Sequence, residues 1–385
     1  MKTWLFVNSV SANPKRSLFQ RPHHITKHLL RIGDRVIWYE EPPSWIGAIL
    51  KSDWKIIPLA LSSPYHLMYP QGDGETKIET VNPRGLYLIP RTFLQYKLKS
   101  RLEERKYSQL EGLSFKPDIC VISKIFSKNV MDLLRVKYTN SLFIFDLVDD
   151  FPEFLPGNKK FKEDFLCILD KVDGVVSVKR SLLAKYSNRI NSPSCVIPNG
   201  VGFNLPPAFA IRNDEIKKVG FYGALTNWFD WEKWYNVAAK LPGVSFLLAG
   251  SVDGAHKKLL KHLTVLPNVK YIGPLPYKEV PNFLSQIDTL WVNFKLNERV
   301  LQSDPIKIKE GLYAGIPVIV PFNLEDENLN KYIIRAEKQN EILEAIMNPG
   351  VGVQKRLEAA KYVNETYSWE SLTKKFREFC LSLNA

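Results

Sequence analysis

The chain has 385 residues, 45% hydrophobic and 24% charged, a balance that excludes a disordered or fibrous protein. A single core seldom grows past about 250–300 residues, so two or three domains are expected. The net charge of +13 is uneven: residues 1–195 carry 30 Lys and Arg against 20 Asp and Glu, which attracts anions, whether lipid headgroups, nucleic acid or phosphorylated substrates.

Cysteines 120, 167, 195 and 380 are scattered, with no CxxC and no His cluster nearby. They read as reduced thiols of a cytosolic protein, and no metal site is expected. No apolar run approaches the ~20 residues that span a bilayer. The apolar start of the chain is too short for a signal peptide and reads as a first buried strand. A cytoplasmic protein, at most attached to a membrane surface, is the expectation.

In chain order, the first half predicts strands over residues 4–8, 35–39, 86–89, 119–123, 142–146 and 174–178. Helical patterns fall at 22–32, 93–111 and 128–136. A short strand at 196–197 precedes a Pro-, Asn- and Gly-rich loop over 198–215, the sharpest shift in composition and the best domain boundary. Beyond it, strands at 218–222, 245–249, 270–272, 289–293 and 317–321 alternate with helices at 230–240, 255–263, 277–286 and 305–314. A last helix is expected over 367–383. Such alternation predicts an α/β protein of two Rossmann-like domains, residues 1–200 and 201–366, with a final helix in 367–385. Ligands of these folds bind at the carboxyl ends of the strands, so the cleft between the domains is the expected site.

The richest segment is Ser303 to Pro321, SDPIKIKEGLYAGIPVIVP. Ser303 or Asp304 is suited to cap a helix, Pro305 to be its first residue, and Gly315 to end it. A helix amino terminus holding a lysine favours a phosphate, because the unsatisfied N–H groups and the dipole both attract negative charge. Lys307 and Glu310 share a helix face. One can meet an anion and the other accept hydrogen bonds from hydroxyls, as a diphosphate joined to a sugar requires. An ordinary amphipathic helix with a surface Lys/Glu pair fits the same spacing.

The order of motifs resembles GT-B glycosyltransferases. It is carried by Val196-Ile-Pro-Asn-Gly-Val201, Val219-Gly-Phe-Tyr-Gly-Ala-Leu225, Phe246-Leu-Leu-Ala-Gly250, Val269-Lys-Tyr-Ile-Gly-Pro274, Asp304-Pro-Ile-Lys-Ile-Lys-Glu310 and Ala314-Gly-Ile-Pro-Val318. Gln20-Arg-Pro-His-His24, Phe145-Asp-Leu-Val-Asp-Asp150 and Tyr367-Ser-Trp-Glu370 add to it. The likeness is to bacterial enzymes of surface-polysaccharide synthesis, the teichuronic acid glycosyltransferase group and, more distantly, xanthan glucuronosyltransferase. It covers almost the whole chain. It implies two domains facing across a cleft, a closing helix that crosses back to the first, and sugar transfer from a nucleotide-diphosphate donor. Two departures stand out: a glutamate pair eight positions apart has Gln302 in place of its first member, and no basic residue follows Gly223 before Lys233.

On this reading the donor, UDP- or GDP-linked, is a co-substrate and no cofactor is needed. It would meet Gly223, Ala224, Leu225, Pro274, Leu275, Ser303, Asp304, Pro305, Ile306, Lys307 and Glu310. Glycine lets backbone approach the phosphates closely. Catalytic candidates are Asp149, Asp150 and His24. The two acids follow an apolar strand, and adjacent acids raise each other's pKa as a general base needs, although an Asp before a helix is also a common cap. Arg21 and His23 are candidate acceptor or phosphate contacts.

Residues 43–54, with Trp45, Ile49 and Trp54, and residues 93–106, an apolar stripe with a basic face, are candidate contacts to the inner membrane surface. A lipid-linked or polysaccharide acceptor fits that location. A sugar-nucleotide epimerase of the same fold and a basic nucleotide-binding protein are the alternatives. Nucleic acid ranks last, since zinc spacing, an RNA-binding aromatic signature and a helix-turn-helix are all missing.

Overall fold

The computed structural model describes residues 1–8, 10–12, 20–39, 65–70, 77–82, 104, 107–108, 115–203, 205–211 and 216–383. The chain forms two units, Met1–Pro198 with Thr373–Ala385, and Asn199–Leu372. The strand expected at 86–89 and the membrane segments at 43–54 and 93–106, Glu104 excepted, lie outside the described residues.

The strands of the first unit are β1 (Thr3–Asn8), β2 (Arg35–Tyr39), β3 (Tyr65–Pro70), β4 (Lys77–Asn82), β5 (Ile119–Ser123), β6 (Leu142–Leu147), β7 (Gly174–Ser177) and β8 (Ser194–Val196). They lie in the order β3-β4-β2-β1-β5-β6-β7-β8, parallel except for the antiparallel pair β3–β4. Every residue of β5 is buried, the mark of a parallel strand covered on both faces. The β3–β4 hairpin escaped the sequence because neither strand has a continuous β-branched run. Its Glu79 instead pairs with Arg35 of β2 at 2.8 Å.

The second unit contains β9 (Lys218–Tyr222), β10 (Ser245–Ala249), β11 (Val269–Tyr271), β12 (Thr289–Trp291), β13 (Val318–Val320) and β14 (Ile334–Arg335). Their order is β11-β10-β9-β12-β13-β14, all parallel. This is the doubly wound order in which the chain reverses direction between β9 and β12, the position at whose carboxyl ends sheets of this kind bind their ligands. The core is aromatic: Trp234 stacks on Trp291 with centroids 4.8 Å apart.

The final helix expected over 367–383 is present as Trp369–Ser382, and a helix not expected from the sequence, Val353–Tyr367, precedes it. The earlier helix ends where Ser368 turns extended. The cause is a β-bridge: the Val201 amide donates to the Tyr367 carbonyl at 2.8 Å and the Trp369 amide to the Val201 carbonyl at 3.1 Å. Within the first unit, Arg377 pairs with Asp34 at 2.7 Å, and Phe376 meets Trp4 with ring centroids 6.0 Å apart. Among the described residues no helix is long and apolar enough to cross a membrane. All four cysteines are unbridged.

Candidate active site

At the carboxyl edge of the second sheet three glycines follow three neighbouring strands. Gly223, Gly250 and Gly273 end β9, β10 and β11 with φ of 130°, 134° and 91°. The Gly223 amide donates to the Ala249 carbonyl at 3.0 Å, and the Gly250 amide to the Gly273 carbonyl at 2.7 Å. A Cβ on Gly250 would lie 1.8 Å from the Gly223 carbonyl oxygen, so only glycine lets these turns stack.

The helix Ile306–Ala314 runs beneath this edge. Its carboxyl end is the predicted one: Gly315 is left-handed, its amide bonding the Leu312 carbonyl and the Ile316 amide bonding that of Gly311. Gly311 allows close approach to the sheet, since a Cβ there would fall 2.8 Å from Val318 Cγ2.

The amino end differs from expectation. Pro305 precedes the helix and no side chain caps it. Ser303 donates instead to the Val300 carbonyl at 2.7 Å, closing the preceding short helix Glu298–Gln302. Asp304 is corrected from a donor contact, since both its carboxylate oxygens are engaged by Lys309 and one also by the Asn199 amide.

Lys307 reaches up to the glycine edge. A Cβ on Gly223 would be 3.2 Å from its Nζ, and that Nζ lies 4.8 Å from the Phe294 ring centroid and 5.3 Å from that of Phe221. The two aromatic faces hold the ammonium at the reversal between β9 and β12. Burial lowers its pKa to about 8, opposed by the charge of Glu310. Glu310, 1% exposed, accepts a hydrogen bond from the Tyr222 hydroxyl, and Tyr277 acts on the same carboxylate. Burial raises Glu310 to about 7 against those three favourable partners, Tyr222, Lys307 and Tyr277. An ionised carboxylate has about four lone-pair sites, so beyond the two tyrosine hydroxyls it retains acceptor capacity.

The other donor candidates sit around this cluster. Ala224 is half-buried, and its carbonyl accepts from Trp228 Nε1 at 2.9 Å. Leu225 is a correction: its side chain is fully buried and its amide is bonded to the Ser251 carbonyl at 2.9 Å, which makes it a core residue. Pro274 is exposed and Leu275 half-buried beyond β11, and Ile306 is half-buried at the first helical position. Tyr222 and Tyr277 were not singled out from the sequence. The one available signal for Tyr222 is its place directly before Gly223.

In the first unit the candidates separate. Arg21 is buried, its Nε 3.0 Å from Asp146 and its Nη1 3.0 Å from the Pro198 carbonyl, so it joins the first helix to the end of β6 rather than offering a surface phosphate contact. His23 donates through Nε2 to the Ser11 carbonyl at 2.8 Å, accepts the Gln20 amide at Nδ1, and packs on Trp38. Both ring nitrogens are occupied, and burial lowers its pKa to about 4, so it stays neutral and structural. His24 is buried in the same turn, and that burial, with the charges of His23, His28 and Lys27, holds its pKa well below the usual range.

Asp150 is also corrected. Its buried carboxylate is bound by the Lys185 ammonium at 2.6 Å and by the Tyr186 hydroxyl, anchoring the helix Arg180–Lys185. Asp149 is half-buried beside it. Among the described residues no three His, Cys, Asp or Glu side chains converge as metal ligands would.

No family model matches the chain. TuaH of Bacillus subtilis, provisionally named a teichuronic acid biosynthesis glycosyltransferase, is 23% identical over 246 residues, which cover 59% of this chain and 60% of TuaH. The matched stretch is thus less than two thirds of that relative. Among solved structures, sucrose-phosphate synthase from Thermosynechococcus elongatus aligns with a TM-score of 0.68 at 13% identity, over 100% of this chain and 99% of its own. HepE of Anabaena, solved with UDP-glucose, aligns at 0.65 and 12% identity, over 99% and 100%.

Likeness at that identity establishes the fold: two parallel-sheet α/β domains in the GT-B class. The chain resembles TuaH in sequence and both solved structures in fold.

Proposed function

We propose that this chain is a glycosyltransferase that moves a sugar from a UDP-linked donor to a lipid-linked or polysaccharide acceptor of the bacterial cell envelope. The observation that carries the reading is the convergence of Lys307, the Gly223 turn and Glu310 at the carboxyl edge between β9 and β12. The likeness to HepE, solved with UDP-glucose, supports UDP as the nucleotide, and the likeness to TuaH supports a cell-wall polymer as the product.

In the reaction an acceptor oxygen bonds to the anomeric carbon as the bond from that carbon to the β-phosphate oxygen breaks. The hydroxyl proton passes to a base and UDP departs with the added charge. Lys307 and the uncapped amino end of its helix are suited to stabilise that charge, and Glu310 to accept a ribose hydroxyl. With these groups in the role a metal often fills, we propose metal-independent transfer. Asp149 is the proposed base. The proposed location is the cytoplasmic face of the cell membrane, supported by the basic first half of the chain.

A thermal-shift panel of UDP- and GDP-sugars tests the reading. A ligand that binds only the native state raises its apparent stability, by about 2.7 kcal/mol at a hundred times its Kd. A UDP-sugar is expected to raise the melting temperature of the original chain and not that of Lys307→Ala. Equal shifts in both proteins would reject the site.

A further inference from the structure

Asp304 stands one residue before Pro305, where a carboxylate caps a helix or, left uncompensated, opposes an incoming anion. Its two oxygens are held by the Lys309 ammonium at 2.7 and 2.6 Å, and Oδ2 also accepts the Asn199 amide at 2.7 Å. Lys309 donates onward to the Asn199 carbonyl at 2.9 Å and faces the Tyr367 ring at 4.7 Å. Asn199 Nδ2 closes the circuit on the Asp304 carbonyl at 2.9 Å.

Lys309 is only 4% exposed, on a helix face where an apolar side chain would ordinarily pack. A buried ion pair seldom stabilises a fold more than apolar residues of the same volume, so stability alone does not account for a lysine here. The pair does have one consequence at the site. Asp304, the acid directly before Pro305, is neutralised and turned into the Asn199 circuit, and the helix keeps no side-chain cap.

We propose that Lys309 is a positioning residue for the donor. It holds and neutralises Asp304, so that the helix amino terminus and Lys307 are left to the diphosphate. This rests on the donor-helix reading above.

UDP titrated calorimetrically into the full chain tests it, with far-UV circular dichroism confirming the fold. Lys309→Met leaves the Asp304 charge uncompensated beside the diphosphate and is expected to weaken UDP about tenfold or more. Asp304→Asn removes that charge and is expected to bind UDP at least as tightly as the original chain, although its melting temperature falls. The double variant is expected to return to within about threefold of the original. A purely structural pair would weaken UDP alike in both single variants, and that result overturns the proposal, as does unchanged binding in folded Lys309→Met. Should Lys309→Met not fold, Asp304→Asn and the double variant decide, since weakened binding in either overturns it. Lys307→Ala separates the levels. If it keeps UDP, the donor-helix reading fails; if it loses UDP while Lys309→Met keeps it, only the role of Lys309 fails.

Discussion

Lys307 and Glu310 face each other across one helical turn with their ordinary charges disfavoured by burial. Glu310 is pushed up to about 7 and Lys307 down to about 8. In the empty protein, the state with Glu310 ionised and Lys307 protonated is therefore most populated between those values. Below about 7 the glutamate gains a proton and becomes a weaker acceptor; above about 8 the lysine loses the charge that meets a diphosphate. The expected kcat/KM for donor rises through about 7 and falls beyond about 8, the limbs belonging to the pair rather than to either residue. Glu310→Gln is expected to abolish the acid limb and lower kcat/KM about tenfold, because a charge-assisted hydrogen bond becomes a neutral one. A pH–rate profile that keeps both limbs in this variant would remove Glu310 from the site. Folding stability responds to pH in opposite directions for the two groups. The raised Glu310 contributes stability fully present below the usual carboxylate range and lost as pH climbs through about 7; the lowered Lys307 contributes stability present above its unfolded value and lost as pH falls through about 8.

The elements show which signals a sequence carries locally. Gly315 ends its helix as expected because a left-handed residue is required there whatever surrounds it. The amino-terminal cap differs from expectation because Asp304 has a stronger partner in Lys309, which only folding of the helix turns toward the carboxylate. Gly250 reads as an ordinary strand-end glycine until the strands are placed side by side. Its missing Cβ is then what lets the Gly223 turn pass. Gly250→Ala is expected to destabilise the protein by about 3 kcal/mol, combining backbone strain with overpacking. Gly243→Ala, which meets nothing within 4 Å, is expected to be nearly neutral. Chemical denaturation of the two variants checks the contrast, and equal stability would contradict the stacked turns.

For the whole molecule, alternating apolar runs were enough to read two parallel-sheet domains, because buried parallel strands need continuous β-branched segments and their crossovers need amphipathic helices. The basic half makes one further expectation testable. With its charge of +13, the protein is expected to bind vesicles containing anionic lipid and to be released by about 0.5 M salt, since screening shortens the reach of surface charge. Sedimentation with neutral against anionic vesicles measures this, and indifference to lipid charge would exclude an electrostatic membrane role.

The sequence by itself determined the strand and helix alternation, the glycine stop at Gly315 and the Lys307/Glu310 pairing on one face. Each depends on neighbours within a turn or a strand. Only the tertiary structure decided which polar groups are already engaged. Arg21 is tied to Asp146, Asp150 to Lys185, both nitrogens of His23 to backbone, and Asp304 to Lys309. Apart from the short Asp304–Lys309 spacing and the local Gln20 contact, those partners come from distant parts of the chain, and charge and burial act through space rather than along sequence. The same packing brought Tyr222 of β9 onto Glu310 and left Lys307 between two aromatic rings, around a candidate site whose Lys307 and Glu310 were already visible in SDPIKIKE.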